Sequence, residues 1–391
     1  MKRARTCIGS LIIIIAGIVL FSLLPGTTAS GLPMDIFTAQ ASREFPVQEL
    51  QALLNKSVYD TDVPGILMAI QTKSTIWISA SGISDLETGK PMSPYMKVRI
   101  GGITRVFMAA LILKLSEERL LSLDDTVEKW LPGMVPGGGK ITLMMLLSQT
   151  SGLYNYANSL ELWQKVYENP GSQWAPEDLM EIIAKAPPIS LPGVSWYPSS
   201  TDYFILGLIA EKATKKPLEE ELRSRFFGPL GMSGTSLPRS GALTPPFVHG
   251  YTWNPLQNKM EDTSAWDFSW KWPSGSGVTT AIDMLTWTNA FVEGRVVSLD
   301  SMKKMMTILP PSRDYGLGLY VKEKGGWGEK ELSQSGGNPG MGCQWTYLPD
   351  SGRIVFVAIN RLDMDFDKPS GGIAFINALI PGVRDILNEH R

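Results

Sequence analysis

The sequence predicts an α+β (mixed α/β) fold: a mostly antiparallel sheet flanked by terminal helices, with an inserted, mainly helical lobe. Three observations predict it. Strand-like apolar runs come early, at 65–70 and 75–80, split by the polar turn Thr72-Lys73-Ser74. A hairpin pattern comes late, where 344–348 and 353–360 enclose the turn Pro349-Asp350-Ser351-Gly352. Between them, helical segments divided by Pro and Gly fill 120–240. With strands at both ends and helices between, one sheet built from both ends is the simplest packing.

Along the chain, Lys2, Arg3 and Arg5 precede an uncharged apolar run at 7–24, followed by Thr27, Thr28, Ala29 and Ser30. A positive flank, an apolar stretch and small residues predict an export signal over 1–30. It is either cleaved after Ala29 or kept as an N-terminal membrane anchor, with the body outside. Cys7 stands at the start of the run rather than just after it, so it is not placed like a lipid-modified cysteine. Residues 31–44 read as a linker and 45–59 as a short amphipathic helix. From Thr104 the pattern changes: Val106 to Leu113 is apolar all round, as in a helix buried on every side, and turns polar at 116–119. Further helices are predicted at 178–186 and 203–213, and a final one at 371–389, interrupted near Pro381.

Composition excludes several functions. Lys and Arg number 36 against 38 Asp and Glu, a net charge of −2, too balanced for a dedicated nucleic-acid binder. The two histidines, His249 and His390, have no second ligand at metal spacing, so neither metal nor cofactor is expected. Neither lies in a triad motif, and His249 in Pro246-Phe-Val-His-Gly-Tyr251 reads as structural. Of the two cysteines, only Cys343 outlasts a cleaved leader, so no intramolecular disulfide is expected. Gly137–Gly139 before Lys140 fails as a phosphate loop, because Ile141 replaces the Ser/Thr and Met134 the first Gly.

Several fragments recur in a fixed order: Ile100-Gly-Gly-Ile-Thr-Arg105, Leu121-Ser-Leu-Asp-Asp125, Leu146-Leu-Ser-Gln-Thr-Ser-Gly-Leu153, Pro229-Leu-Gly-Met232, Tyr315-Gly-Leu-Gly-Leu319 and Ser335-Gly-Gly-Asn-Pro-Gly340. The series resembles the serine beta-lactamase and D-Ala-D-Ala carboxypeptidase family (class C beta-lactamase-like, penicillin-binding-protein-like) over roughly 45–385. The resemblance implies a beta-lactamase-like domain over 45–388, with a sheet lobe of 45–100 and 241–388 and a helical lobe of 101–240. It also implies a cleft between lobes built on three motifs. A Ser-x-x-Lys opens the buried helix, its i,i+3 spacing setting hydroxyl and amine on one face. A Tyr-x-Asn assists proton transfer, and a Lys- or His-x-Gly strand forms the third wall, with backbone N–H groups holding the oxyanion.

This sequence departs at each chemically active position. Gly102 stands where the serine is expected and Arg105 where the lysine is; glycine carries no nucleophile and a guanidinium is no base near neutral pH. The second motif falls in Pro192-Gly-Val-Ser-Trp-Tyr-Pro-Ser-Ser-Thr-Asp-Tyr203, with Pro198 at the tyrosine and Ser200 at the asparagine. A one-residue slip restores a phenol at Tyr197 but puts Ser199 in place of the amide. The third motif reads Gln334-Ser335-Gly336, a neutral amide for the cation. Stray matches at Ser301-Met-Lys-Lys304 and Tyr156-Ala-Asn158 stand in the wrong context.

No family catalytic group is therefore expected to be intact, and the site is expected to bind rather than react. Arg105, near a helix start, suits a carboxylate, with Tyr197, Ser199, Ser200, Gln334, Gly336 and Gly337 around it. A pairing of Arg105 with Asp202 that closes the cleft is the competing expectation. Trp266 and Trp270, four apart, predict a packed helix face, although these rings, Trp272 and Trp196 also suit stacking on a ligand. The first expectation is an exported pseudoenzyme that binds a small-molecule or cell-envelope ligand. The alternative is a serine-hydrolase-type enzyme (esterase, peptidase or amidase) using a displaced nucleophile such as Thr104, Ser199 or Ser200.

Overall fold

The computed structural model describes residues 45–241, 243–364 and 371–390. The leader expected over 1–30 and the linker at 31–44 lie outside the described residues. Among the described residues, no helix is long and apolar enough to cross a membrane.

Seven antiparallel strands form the main sheet, in the order β3-β2-β1-β11-β10-β9-β8. They are β1 (Gly65–Gln71), β2 (Ile76–Asp85), β3 (Lys90–Pro91), β8 (Tyr320–Lys322), β9 (Glu331–Asn338), β10 (Met341–Leu348) and β11 (Arg353–Ile359). The two ends of the chain meet where β1 pairs with β11, Ile66 opposite Ile359. Two short pairs stand apart: β4 (Val98–Arg99) with β7 (Val278–Thr279), and β5 (Tyr251–Asn254) with β6 (Lys259–Asp262).

Both faces of the sheet are covered, which explains why β1 and β11 are apolar without alternation. On one face, Ile66, Met68 and Ile70 pack beneath α1 (Val47–Tyr59) and α11 (Gly371–Glu389). On the other, Leu67 and Ala69 join a larger cluster with the helical region. That region holds α2 (Thr104–Glu117), α3 (Val127–Trp130), α4 (Leu143–Leu147), α5 (Leu160–Glu168), α6 (Pro176–Lys185), α7 (Ser200–Thr214) and α8 (Leu218–Leu222). The later helices α9 (Ala281–Val292) and α10 (Leu299–Met306) follow it, α9 packing on β1 and β11.

Helix α2 is buried on all sides as its sequence predicts, and Phe107 meets Trp287 edge-on at 4.5 Å. Two local expectations are corrected. The final helix is not interrupted near Pro381 but runs through it. Proline removes one backbone hydrogen bond there, while Ile376, Leu379, Ile380, Val383 and Leu387 hold both sides of it against the sheet. Trp266 and Trp270 do not share a helix face. Residues 269–271 form a single 3-10 turn, because Asp267 caps the Ser269 N–H and Pro273 forces Trp272 into an extended backbone. The rings are buried all the same, Trp270 lying edge-on to Trp163 at 5.0 Å.

Candidate active site

The segment carrying Gly102 is a 3-10 turn, Gly101–Ile103, that leads into α2. Thr104 fastens it: its hydroxyl donates to Gly101 O at 2.6 Å and accepts from the Gly277 N–H at 3.1 Å. Both roles are filled and Thr104 is fully buried, so it is not a free nucleophile. Strand β9 lies directly on this turn. A Cβ on Gly336 would fall 1.7 Å from Ile100 O, which is why only glycine fits at that crossing. From the other side, a Cβ on Gly102 would fall 2.8 Å from Ser335 O. Gly101 has φ +49°, and its Cβ would reach within 2.5 Å of Gly337 N. Backbone therefore fills the space beside residue 102.

Arg105 is half-buried one turn further on. Its guanidinium donates to Ser200 Oγ at 3.4 Å and faces the Tyr203 ring, with Cζ 5.6 Å from the centroid. Its Nε has no hydrogen-bond partner among the described residues. The expected pairing with Asp202 is not a direct ion pair among the described residues, although Arg105 acts on Asp202 electrostatically. Asp202 is claimed instead by the Ser151 hydroxyl, which donates to Oδ1 at 2.6 Å. Burial pushes Asp202 up to about 7, against the pull of Ser151, Ser199 and Arg105.

The second-motif residues act mainly as helix-start architecture. Ser199 caps α7, its Oγ accepting from the Asp202 N–H at 3.1 Å. The Ser200 N–H donates to Asn155 Oδ1, and the Asn155 amide donates to Pro198 O. Tyr197 is 50% exposed and its side chain makes no hydrogen bond among the described residues. Gln334 is buried and spent: Nε2 donates to Gly318 O at 2.9 Å and to Tyr315 Oη at 3.3 Å. The loop holding Gly318 packs on α2, since a Cβ there would lie 2.9 Å from Arg105 O. The structure thus brings Arg105 and Ser200 together and sets Gln334, Gly336 and Gly337 behind the turn. It leaves Tyr197 outward.

Other stray motifs resolve simply. His249 pairs with Asp262 at 2.7 Å and stacks on Phe247. Ser301 lies in α10, its N–H capped by Ser298. Tyr156 is more telling. It is fully buried, donates to Trp270 O at 2.8 Å, and is pushed up to about 12 by burial despite Arg105.

One residue escaped the sequence analysis. Lys271 is only 8% exposed, with Nζ 4.7 Å from the Trp270 ring centroid. Its stem flanks the Gly101 turn: a Cβ on Gly275 would sit 3.4 Å from both Gly101 C and Lys271 Cδ. Burial and, secondarily, Arg105 pull its amine down to about 7. Nζ makes no hydrogen bond or ion pair among the described residues, so no hydroxyl is in place to be activated. Its one sequence signal was a lysine enclosed by Trp270 and Trp272.

The antiparallel sheet, the helical region and the turn packed beneath β9 define a serine beta-lactamase-like, penicillin-binding-protein-like chain. It belongs to the beta-lactamase family, whose family model, described as Beta-lactamase, matches residues 47–376. The protein PbpX of Bacillus subtilis (strain 168) is 27% identical over 66% of this chain, and the match spans 62% of PbpX. A D-stereospecific amidohydrolase from Streptomyces sp. superposes with TM-score 0.73 at 28% identity, covering 81% of this chain and 94% of the other. An octameric penicillin-binding protein homologue from Pyrococcus abyssi gives 0.71 at 25%, covering 86% and 78%.

Proposed function

We propose that this chain is an exported, non-catalytic member of its family that binds a small-molecule or cell-envelope ligand without forming an acyl intermediate. One observation carries the reading: the position expected for the attacking hydroxyl holds Gly102, packed against the Ser335 carbonyl, followed by Arg105 instead of an amine. The displaced hydroxyls do not replace it. Thr104 and Ser199 are engaged by backbone, and Ser200 accepts from a guanidinium that takes no proton near neutral pH. Export rests on the leader pattern at 1–30, and retention of 7–24 would anchor the chain to a membrane.

Lys271 favours the second reading, a hydrolase with a displaced nucleophile, because a buried amine of lowered pKa is the base such an enzyme needs. Its lack of a hydroxyl partner weighs against it. The test is turnover. Amides of D configuration, suggested by the similarity to the Streptomyces D-stereospecific amidohydrolase, p-nitrophenyl esters and a chromogenic lactam should be cleaved no faster than in buffer. Cleavage that vanishes in Lys271→Met would overturn the non-catalytic reading. Fractionation of expressing cells tests export, and a chain held in the cytoplasm would contradict it.

A further inference from the structure

Four segments of the chain converge at one end of the main sheet. The β1–β2 turn at 72–75 and the β10–β11 turn at 349–352 come side by side because β1 and β11 pair to their ends, Gln71 opposite Ile354. A Cβ on Gly352 would lie 3.4 Å from Lys73 Cε, so the lysine stem of one turn rests on the other. The start of α1 and the end of α11 complete the enclosure of a cavity of about 400 Å³. Its lining is basic in a chain of net charge −2: Lys73, Arg353 and His390 contribute to it, and no acidic residue does among those described. Lys73 is exposed and has no ion pair among the described residues. Arg353, 8% exposed, donates to Leu387 O and Asn388 Oδ1, both at 3.3 Å, and His390 is held by Glu49 at 2.9 Å. Two hydroxyls on the lining are unmet. Thr75 is only 4% exposed, yet neither its Oγ1 nor Ser351 Oγ has a hydrogen-bond partner among the described residues, whereas buried hydroxyls ordinarily find one. Phe45 and Pro46 bring the start of the 13-residue α1, which no side chain caps, and with it the positive end of a helix dipole.

We propose that this cavity binds a phosphate group, free or carried on a lipid headgroup. The Lys73 ammonium and the hydroxyls of Thr75 and Ser351 donate to its oxygens, while Arg353 and the start of α1 add positive potential. A tetrahedral phosphate accepts from several directions at once, which suits donors that arrive on separate turns and a helix end. The Thr72 hydroxyl takes no part, because it is engaged within its own turn, accepting from the Thr75 N–H at 3.1 Å. The cavity is larger than a bare phosphate fills, which leaves room for an ester substituent. None of its lining residues belongs to the Gly101 turn, β9 or α7, so the site stands whether or not the cleft reacts.

Titration calorimetry on the purified full chain tests this with three probes: inorganic phosphate, the headgroup diester glycerophosphoglycerol, and glycerol as the uncharged control. At least one of the two phosphates should bind, at least tenfold more tightly than glycerol and more weakly as salt is raised. Phosphate binding tenfold tighter than the diester supports a free phosphate as the ligand; a diester at least as tight supports the lipid headgroup. Lys73→Gln should weaken the bound probe about tenfold and Thr75→Val about threefold to tenfold. Lys140→Gln, which removes an exposed cation of the helical region, should leave binding unchanged. Lys73 is exposed and valine is nearly isosteric with threonine, and circular dichroism of each variant verifies its fold. No binding of either phosphate, equal binding of glycerol, affinity unchanged in both Lys73→Gln and Thr75→Val, or an equal loss in Lys140→Gln would each overturn the proposal.

Discussion

Replacing Gly102 by serine restores the hydroxyl expected from relatives at a place where backbone leaves it no room. The new Cβ would lie 2.8 Å from Ser335 O, and ordinary contact begins near 3.4 Å, so β9 and the turn must separate by about half an ångström. The obstructing atom is backbone in a paired strand, not the end of a flexible side chain. Overpacking of this kind costs about 1–3 kcal/mol, or roughly 1–4 °C in Tm for a domain this large. Gly101→Ala should cost more, since its Cβ approaches Gly337 N to 2.5 Å and φ is +49°. Gly139→Ala, in open space, should change little. Thermal unfolding followed by circular dichroism ranks the three. A Gly102→Ser protein melting no lower than the parent would refute the claim that β9 closes on the turn.

Other outcomes follow from the same contacts. Gln334→Leu removes the donor to Gly318 O and leaves that buried carbonyl unmet, which should cost about 1–3 kcal/mol in urea unfolding. Asp202 is raised to about 7 from 3.8, so between those pH values the folded chain holds a proton the unfolded chain has lost. Stability should therefore fall as pH rises through that window, and Asp202→Asn should flatten the fall. Lys271 is lowered to about 7 from 10.5, so there the unfolded chain holds the extra proton. Stability should rise with pH across that range, and Lys271→Met should abolish the rise; Tm against pH reads both. Gly207→Ala drives a methyl to 2.3 Å from Pro273 Cγ and should destabilise the packing of α7 on the Trp272-Pro273 segment, again by about 1–3 kcal/mol.

Much of the fold was legible because its signals are local. The apolar run of α2, the early strands and the late hairpin each carry their own periodicity or turn chemistry, and all three appear at the expected places. Pro381 misled because a proline's cost is local while the packing that offsets it comes from a distant sheet. The tryptophans at 266 and 270 misled because spacing does not register the Asp267 cap or the following proline. At the site, the glycines at 101, 102 and 336 were legible as residues, but their meaning is not. That β9 crosses the turn within backbone contact is a long-range fact. Lys271 was hidden for the same reason: its neighbours Arg105 and Gly101 are about 170 residues away in sequence, and no motif links them.

Intact-mass spectrometry after exposure to a fluorescent penicillin and a fluorophosphonate addresses the absence of acyl transfer most directly. The account predicts a mass unchanged by either reagent at neutral pH, with Gly102 and the hydroxyls of Thr104, Ser199 and Ser200 all unreactive. A stoichiometric adduct mapped to any serine or threonine near the Gly101 turn would contradict it.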